Sequence, residues 1–288
     1  MNPFEYFRPT TLPEACEAAS GSGAVARLLS GGTDLTIALR QGHSVAGLVI
    51  DLKAVAEMKA DIALDGGALR ISAGTTMMQL GRYLGDQGLL PALQEAADVV
   101  GSIQIRNRAT LAGNICNASP AADTVPVLAV LGAEVELHGP NGTRRRPVAE
   151  FIEGNRQIDR AAGEIVTAIH IPLSDLPSGI AFDRITRRRG VDLATTNMAC
   201  TVTATGDVVV AFGSVSPRPL VLRDETGILG DPKAASGDRM QAIKRLAAQA
   251  TPISDVRANA DYRTAMLEVM MQRSLVTAQA RLTEPRNA

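Results

Sequence analysis

The chain has 288 residues, of which 45% are hydrophobic and 20% charged, the composition of an ordinary globular protein long enough for two or three modest domains. A net charge of −1 gives no support to nucleic acid or an anionic lipid surface as the main partner. Three cysteines (Cys16, Cys116, Cys200) and three histidines (His43, His138, His170) are too few and too scattered for a four-thiolate cluster or a zinc-type ligand set.

In chain order, Thr11 and Glu14 have capping-box spacing and predict a short helix that ends at Gly21. Residues 26–30 read as a buried strand. Ser30-Gly31-Gly32-Thr33-Asp34 follows, with Asp34 placed to cap a helix closed by Gly42. Residues 47–52 are a second strand, completing a strand–loop–helix–strand unit. Asp65-Gly66-Gly67 between alternating apolar residues predicts a hairpin over 61–74. Two helices are expected over 75–101, then a polar, irregular loop through "TLAGNICNASPAAD" (110–123) and a short apolar helix. Asn141-Gly142 marks another hairpin, and the alternation in "EIVTAIHIP" (164–172) predicts a strand with one exposed face. Two prolines in 172–178 suggest a boundary, beyond which short strands and two helices (238–250 and 260–282) read as a small antiparallel sheet with helices. The longest apolar runs, such as 125–133, fall short of a bilayer span, and residues 1–15 lack signal-peptide features; a cytoplasmic protein is expected.

Two segments carry possible chemistry. The glycine pair in Ser30–Asp34 is either a tight turn or a backbone cradle offering N–H groups to a phosphate; it matches neither GxGxxG nor a P-loop. The Asn-, Ser- and Thr-rich segment 110–123 offers many donors to a polar ligand. Asp123 there either caps the next helix or accepts a ligand hydroxyl, and Thr75 or Thr76 either caps a helix or donates to a ligand. Arg144–Arg146 fit a solvated sheet edge and Arg187–Arg189 a subunit contact or an exposed strand end. The methionines of "MLEVMMQRSL" fit core packing.

"LLSGGTDL" (28–35) together with "ATLAGNICNASPAADTVPVLAVLGA" (109–133) closely resembles the FAD-binding medium subunits of molybdenum hydroxylases, the group of the xanthine dehydrogenase flavin domain and carbon monoxide dehydrogenase medium subunits. "RRRGVDLATTNMA", "GSVSPRPL" and "TPISDVRANADYRTAMLEVMMQRSL" extend the resemblance over nearly the whole chain. It implies an α+β protein with a p-cresol methylhydroxylase-type FAD fold: subdomains over 1–55 and 56–175, then a C-terminal domain over 176–288. Leu28, Leu29, Ser30, Gly31, Gly32, Thr33, Asp34 and Leu35 would form the first pyrophosphate loop. Thr110, Gly113 and Asn114 would belong to the second. Asn117 and Asp123 would face the cofactor's polar middle, Val166 the adenine or ring system, and Thr75 the flavin, while Arg184 precedes an Asp-x-Ala pattern at Asp192. Ala112 stands where relatives have a first glycine, a methyl group tolerable only at negative φ. The cysteine-rich insertion of the 4-hydroxybenzoyl-CoA reductase branch is missing from the sequence.

No nucleophile–base pair or paired-acid motif appears, which suits electron transfer better than bond-making. In the family, substrate is oxidised at molybdopterin on a large subunit, and electrons pass through two [2Fe–2S] clusters on a small subunit to FAD and an external acceptor. Two such clusters need more thiolates than this chain's three, so clusters and molybdenum are expected on partner chains, in a dimer of heterotrimers. A self-sufficient FAD oxidase and a non-catalytic FAD scaffold are the alternative readings.

Overall fold

The computed structural model describes residues 2–21, 25–173 and 178–283. Its first unit contains β1 (Glu5–Phe7), α1 (Leu12–Ser20), β2 (Ala26–Leu29), α2 (Leu35–Gln41) and β3 (Leu48–Asp51). The strands form a parallel sheet in the order β1-β3-β2, with Leu29 opposite Asp51. Parallel neighbours need a crossover, and α2 supplies it between β2 and β3. The Thr11 hydroxyl accepts the Glu14 N–H while the Glu14 carboxylate accepts the Thr11 N–H, the expected reciprocal cap. Gly42, at φ 74°, ends α2 as expected. Asp34 does not cap it: its backbone is helical and its side chain bonds no helix N–H. β1 has no counterpart in the sequence reading, because three exposed residues carry no periodicity.

The second unit runs through β4 (Ile62–Asp65), β5 (Ala68–Ser72), α3 (Met77–Gln87), α4 (Pro91–Asp98), α5 (Ile103–Arg106), α6 (Leu111–Asn117), α7 (Thr124–Val130), β6 (Glu134–Gly139), β7 (Gly142–Pro147), α8 (Val148–Phe151), β8 (Ile152–Gly154), β9 (Gln157–Ile158) and β10 (Ile165–Pro172). Its main sheet is antiparallel, ordered β4-β5-β10-β6-β7, and both glycine-marked hairpins are present. Two expectations need correction. The first half of the polar segment after Ala109 is helical (α6, Leu111–Asn117), because the Thr110 hydroxyl caps it by accepting the Gly113 N–H at 3.0 Å. β10 is the central strand and buried along nearly its whole length, rather than half exposed. Its polar residues are paired inside the sheet: Glu136 of β6 accepts Thr167 Oγ1 at 2.9 Å and lies 3.0 Å from His170 Nε2. Burial opposes the charge on Glu136, but these hydrogen bonds and the nearby His170 and Arg145 outweigh it and hold the carboxyl below its usual range. On the edge strand β7, Arg144 is more than a solvated side chain; it bonds Glu164 at 2.6 Å and Asp159 at 3.0 Å.

The third unit is a four-stranded antiparallel sheet, β11 (Ser178–Ile185), β12 (Thr196–Thr203), β13 (Val208–Gly213) and β14 (Leu220–Arg223), followed by α9 (Ser236–Ala247) and α10 (Ala260–Thr283). Met270 and Met271 of α10 are fully buried in the core it shares with the sheet. The boundary expected at 172–178 falls mostly on residues outside the described ones. A larger core, built on the second unit's sheet and helices, continues into the first unit through Leu12, Ile50 and Leu52. α4 lies against β11, and α7 against β12 and β13, so the second and third units share an extended junction.

Candidate cofactor site

The Ser30–Asp34 loop leaves the C-terminal end of β2, where parallel α/β sheets commonly receive ligands. A second loop reaches it from the other unit. Residues 109–111 pair with 75–77 through an isolated bridge, with the Met77 N–H donating to the Ala109 carbonyl at 2.8 Å. That pairing brings the Thr110 and Ser30 hydroxyls within 3.1 Å of one another. Gly31 packs directly on the Arg108 backbone: a Cβ there would stand 2.1 Å from the Arg108 carbonyl oxygen. Glycine at this position is therefore a condition for the two loops to meet. Gly32, at φ 78°, makes the turn, and its carbonyl is taken by Thr36 through both N–H and hydroxyl. Among the described residues, the N–H groups of Gly31 to Asp34 have no protein acceptor. Such a run of free donors fits an anion.

Beside the junction is an open cavity of about 300 Å³, walled by Ser30, Gly31, Thr76 and Thr110. Lys53, Lys59 and Arg108 bring positive charge to it. Lys53 is paired with Asp51 at 2.6 Å, whereas Lys59 and Arg108 have no ion-pair partner among the described residues. On the far side of the loop, Asn117 donates to Asp34 at 3.1 Å and accepts from Arg156 at 2.6 Å. Gly113 lets Thr110 cap α6 closely, since a Cβ there would sit 2.9 Å from the Thr110 hydroxyl. Ala112 is buried inside α6, outside the left-handed region, so its methyl group causes no strain. Asn114 accepts the Thr124 hydroxyl at 2.7 Å, tying α6 to α7.

The remaining sequence-derived residues have partners of their own within the protein. Asp123 does not cap α7; its carboxylate is 6% exposed and accepts Arg184 Nη1 at 2.8 Å and Asn197 Nδ2 at 3.0 Å. Burial pushes this carboxyl up, against the pull of Asn197 and Arg184. Asp123 and Arg184 are thus brought together, but as a clamp between the second and third units. Val166 is packed in the larger core. Thr75 is buried and donates to the Asp61 carbonyl; Thr76 is the helix cap of the two and also lines the cavity. Leu28 packs on the larger core, and Leu29 and Leu35 on a small one beneath α2. Asp192 pairs with Arg187 at 2.9 Å, and that bond holds its carboxyl at about 2. Arg187 also lines a second open cavity, of about 320 Å³, in the third unit, where its neighbour Arg257 is paired in turn with Asp255.

Sequence reasoning missed Lys53, Lys59, Arg108, Arg156 and Asn197. Arg108 stands two residues before Thr110 and was within reach of inspection. The others are brought in by tertiary contacts that no local spacing announces. Among the described residues, no cluster of three or more His, Cys, Asp or Glu could hold a metal. No described helix is long and apolar enough to cross a membrane.

Residues 2–174 match the family described as the FAD binding domain in molybdopterin dehydrogenase, and residues 181–278 the CO dehydrogenase flavoprotein C-terminal domain. The carbon monoxide dehydrogenase medium chain of Hydrogenophaga pseudoflava is 31% identical over 284 residues, covering 96% of this chain and 98% of that one. A putative xanthine dehydrogenase FAD-binding subunit of Escherichia coli K12 is 29% identical over 281 residues, 96% of each chain. Among solved structures, reconstituted CO dehydrogenase from Oligotropha carboxidovorans superposes with a TM-score of 0.88 at 29% identity, over 97% of this chain and 99% of that one.

Proposed function

This chain belongs to the FAD-binding medium subunits of molybdenum hydroxylases, a family of oxidoreductase flavoproteins, and on that premise we propose that it is the electron-transfer subunit of a three-subunit complex. It takes electrons from iron–sulfur clusters on a small subunit and delivers them to an external acceptor. A large molybdopterin subunit hydroxylates the substrate, an aromatic N-heterocycle or an aldehyde. The complex is a dimer of heterotrimers, and this chain divides into units 1–55, 56–175 and 176–288.

The observation that carries this reading is the docking of Gly31 on the Arg108 backbone, which sets a run of free N–H groups beside a cationic cavity. Bound FAD supplies the redox chemistry, accepting electrons singly or in pairs. The chain's own residues bind and orient it. Backbone N–H groups of Gly31 to Asp34 would hold the pyrophosphate, with Ser30 and Thr110 holding the two loops together. Lys59 and Arg108 add compensating charge. Gly113 and Asn114 shape the second segment, and Asn117, through its bonds to Asp34 and Arg156, would hold that segment and the glycine loop together beside the polar middle of the cofactor. Asp123 and Arg184 contribute from behind, by holding the third unit against that segment.

The test is purification from the native host without dissociating partners, followed by an absorbance spectrum, iron and molybdenum analysis and a denaturing gel. Flavin, iron and molybdenum with one larger and one smaller companion chain are expected. A lone yellow chain that turns over its own substrate would contradict the subunit role, and a colourless chain that refuses added FAD would contradict the whole reading.

A further inference from the structure

Four non-glycine residues among those described have positive φ: Leu90, Ala118, Arg156 and Ser214. Three of them meet at one place. Ala118, at φ 46°, ends α6 and is the second residue of the stretch from Asn117 to Asp123. Arg156, at 59°, donates its N–H to the Ala118 carbonyl at 2.9 Å and its guanidinium to Asn117. Ser214, at 62° and from the third unit, donates its N–H to the Pro120 carbonyl at 2.7 Å. Side-chain-bearing residues hold this conformation only where their surroundings over-determine it, and such residues cluster at functional sites.

Ser214 is over-determined. Its hydroxyl donates to the Ala194 carbonyl at 3.2 Å and lies 3.5 Å from the Pro120 carbonyl, and its own carbonyl accepts Arg263 Nη1 at 2.9 Å. Arg263, in the first turn of α10, is only 1% exposed. Its Nη1 also reaches the Thr195 carbonyl at 2.6 Å, and its Nη2 is balanced by Asp255 at 2.7 Å. One buried guanidinium thus fixes two carbonyls at once, a task for its planar fork that an ammonium performs poorly. A continuous line of bonds runs from α10 through Ser214 to Pro120, within the segment whose first residue, Asn117, bonds Asp34 of the glycine loop.

We propose that Ser214, locked by Arg263, is a positioning residue for FAD: it holds the Pro120 carbonyl and so fixes the shape in which the Asn117–Asp123 segment meets the cofactor. This rests on the reading that the segment holds FAD. It follows that the third unit contributes to flavin affinity through its hold on Pro120. Glycine at 214 keeps the left-handed backbone and the N–H, and loses only the hydroxyl bond. Valine, β-branched, resists that backbone.

The test uses the full chain stripped of flavin, titrated with FAD by fluorescence quenching, with melting temperatures taken before and after loading. Ser214→Gly should bind within about threefold of wild type, the loss of one neutral hydrogen bond, and Ser214→Val more than about tenfold more weakly. Arg263→Lys covers the case in which the valine variant fails to fold; it keeps the charge beside Asp255 but loses the fork, so it should lower the flavin-free melting temperature and also weaken FAD binding about tenfold. Arg263→Lys that melts lower without FAD yet binds FAD as wild type does is a merely structural effect and overturns the proposal. A wild-type chain that takes no FAD overturns the cofactor reading itself, and is told apart because it needs no variant.

Discussion

Where the first and second units meet, at Ser30 and Thr110, the contact is made by backbone and hydroxyl groups, lies open to a cavity and leaves N–H donors free. Where the second and third meet, at Asp123, Arg184 and Asn197, it is made by charged and amide side chains, is buried, and occupies both carboxylate oxygens. Both draw on the same polar segment, 110–123, which contributes Thr110 to the first and Asp123 to the second. The difference is in what remains unsatisfied. Free donors beside unpaired cations suit an anionic ligand, whereas a buried carboxylate with both oxygens taken orients one unit on another, and there only the enclosed Asn197 Oδ1 lacks a partner among the described residues.

The open junction is most sensitive at Gly31. Gly31→Val puts side-chain atoms where the Arg108 carbonyl stands, so the loops separate, and no FAD should survive gel filtration while the far-UV circular dichroism of the fold persists. FAD retained at one per chain would show that the loop contact is irrelevant to binding. Asp123→Ala should act on stability instead. It strands a largely buried Arg184, and urea unfolding should register a loss of about 3 kcal/mol, whereas Asp123→Leu with Arg184→Met should restore much of it. Equal losses in the single and double variants would refute the clamp. Arg144→Ala calibrates the same chemistry in a more exposed setting; despite its bonds to Asp159 and Glu164 it should cost no more than about 1 kcal/mol in the same assay.

The smallest effect is local and pH-dependent. The Arg187 hydrogen bond holds the Asp192 carboxyl at about 2, below the ordinary aspartate value of about 3.9. A depressed folded value means that the contribution is present above the ordinary value and is lost as pH falls through about 2. Carbon-detected NMR titration should place the Asp192 midpoint in that range, and Arg187→Ala should return it towards the ordinary value. An unchanged midpoint in the variant would mean that another group sets it.

The hairpins were legible because Asp65-Gly66-Gly67 and Asn141-Gly142 announce their own turn geometry, and α1 because both halves of its cap lie three residues apart. Asp34 and Asp123 were misleading for a shared reason. Each sits where a helix cap belongs, but its oxygens are claimed by residues far along the chain: Asn117 for Asp34, and Arg184 and Asn197 for Asp123. β10 misled in the same way, since Thr167 and His170 look solvent-facing until Glu136 of the neighbouring strand is found beside them. Of the candidate site, the two glycine-bearing loops were readable. Their cationic surroundings were not, because Lys53 and Lys59 reach the cavity only through the packing of the turns after β3 against the loops.

The most direct test of the central claim, that the Ser30–Thr110 junction holds FAD, is equilibrium titration of the flavin-free chain with FAD, alone and carrying Lys59→Glu with Arg108→Glu. Saturation at one FAD per wild-type chain, with affinity lowered at least about tenfold by the charge reversals, is the expected result. Full affinity in the reversed variant would place the cofactor away from the cationic cavity and contradict the account.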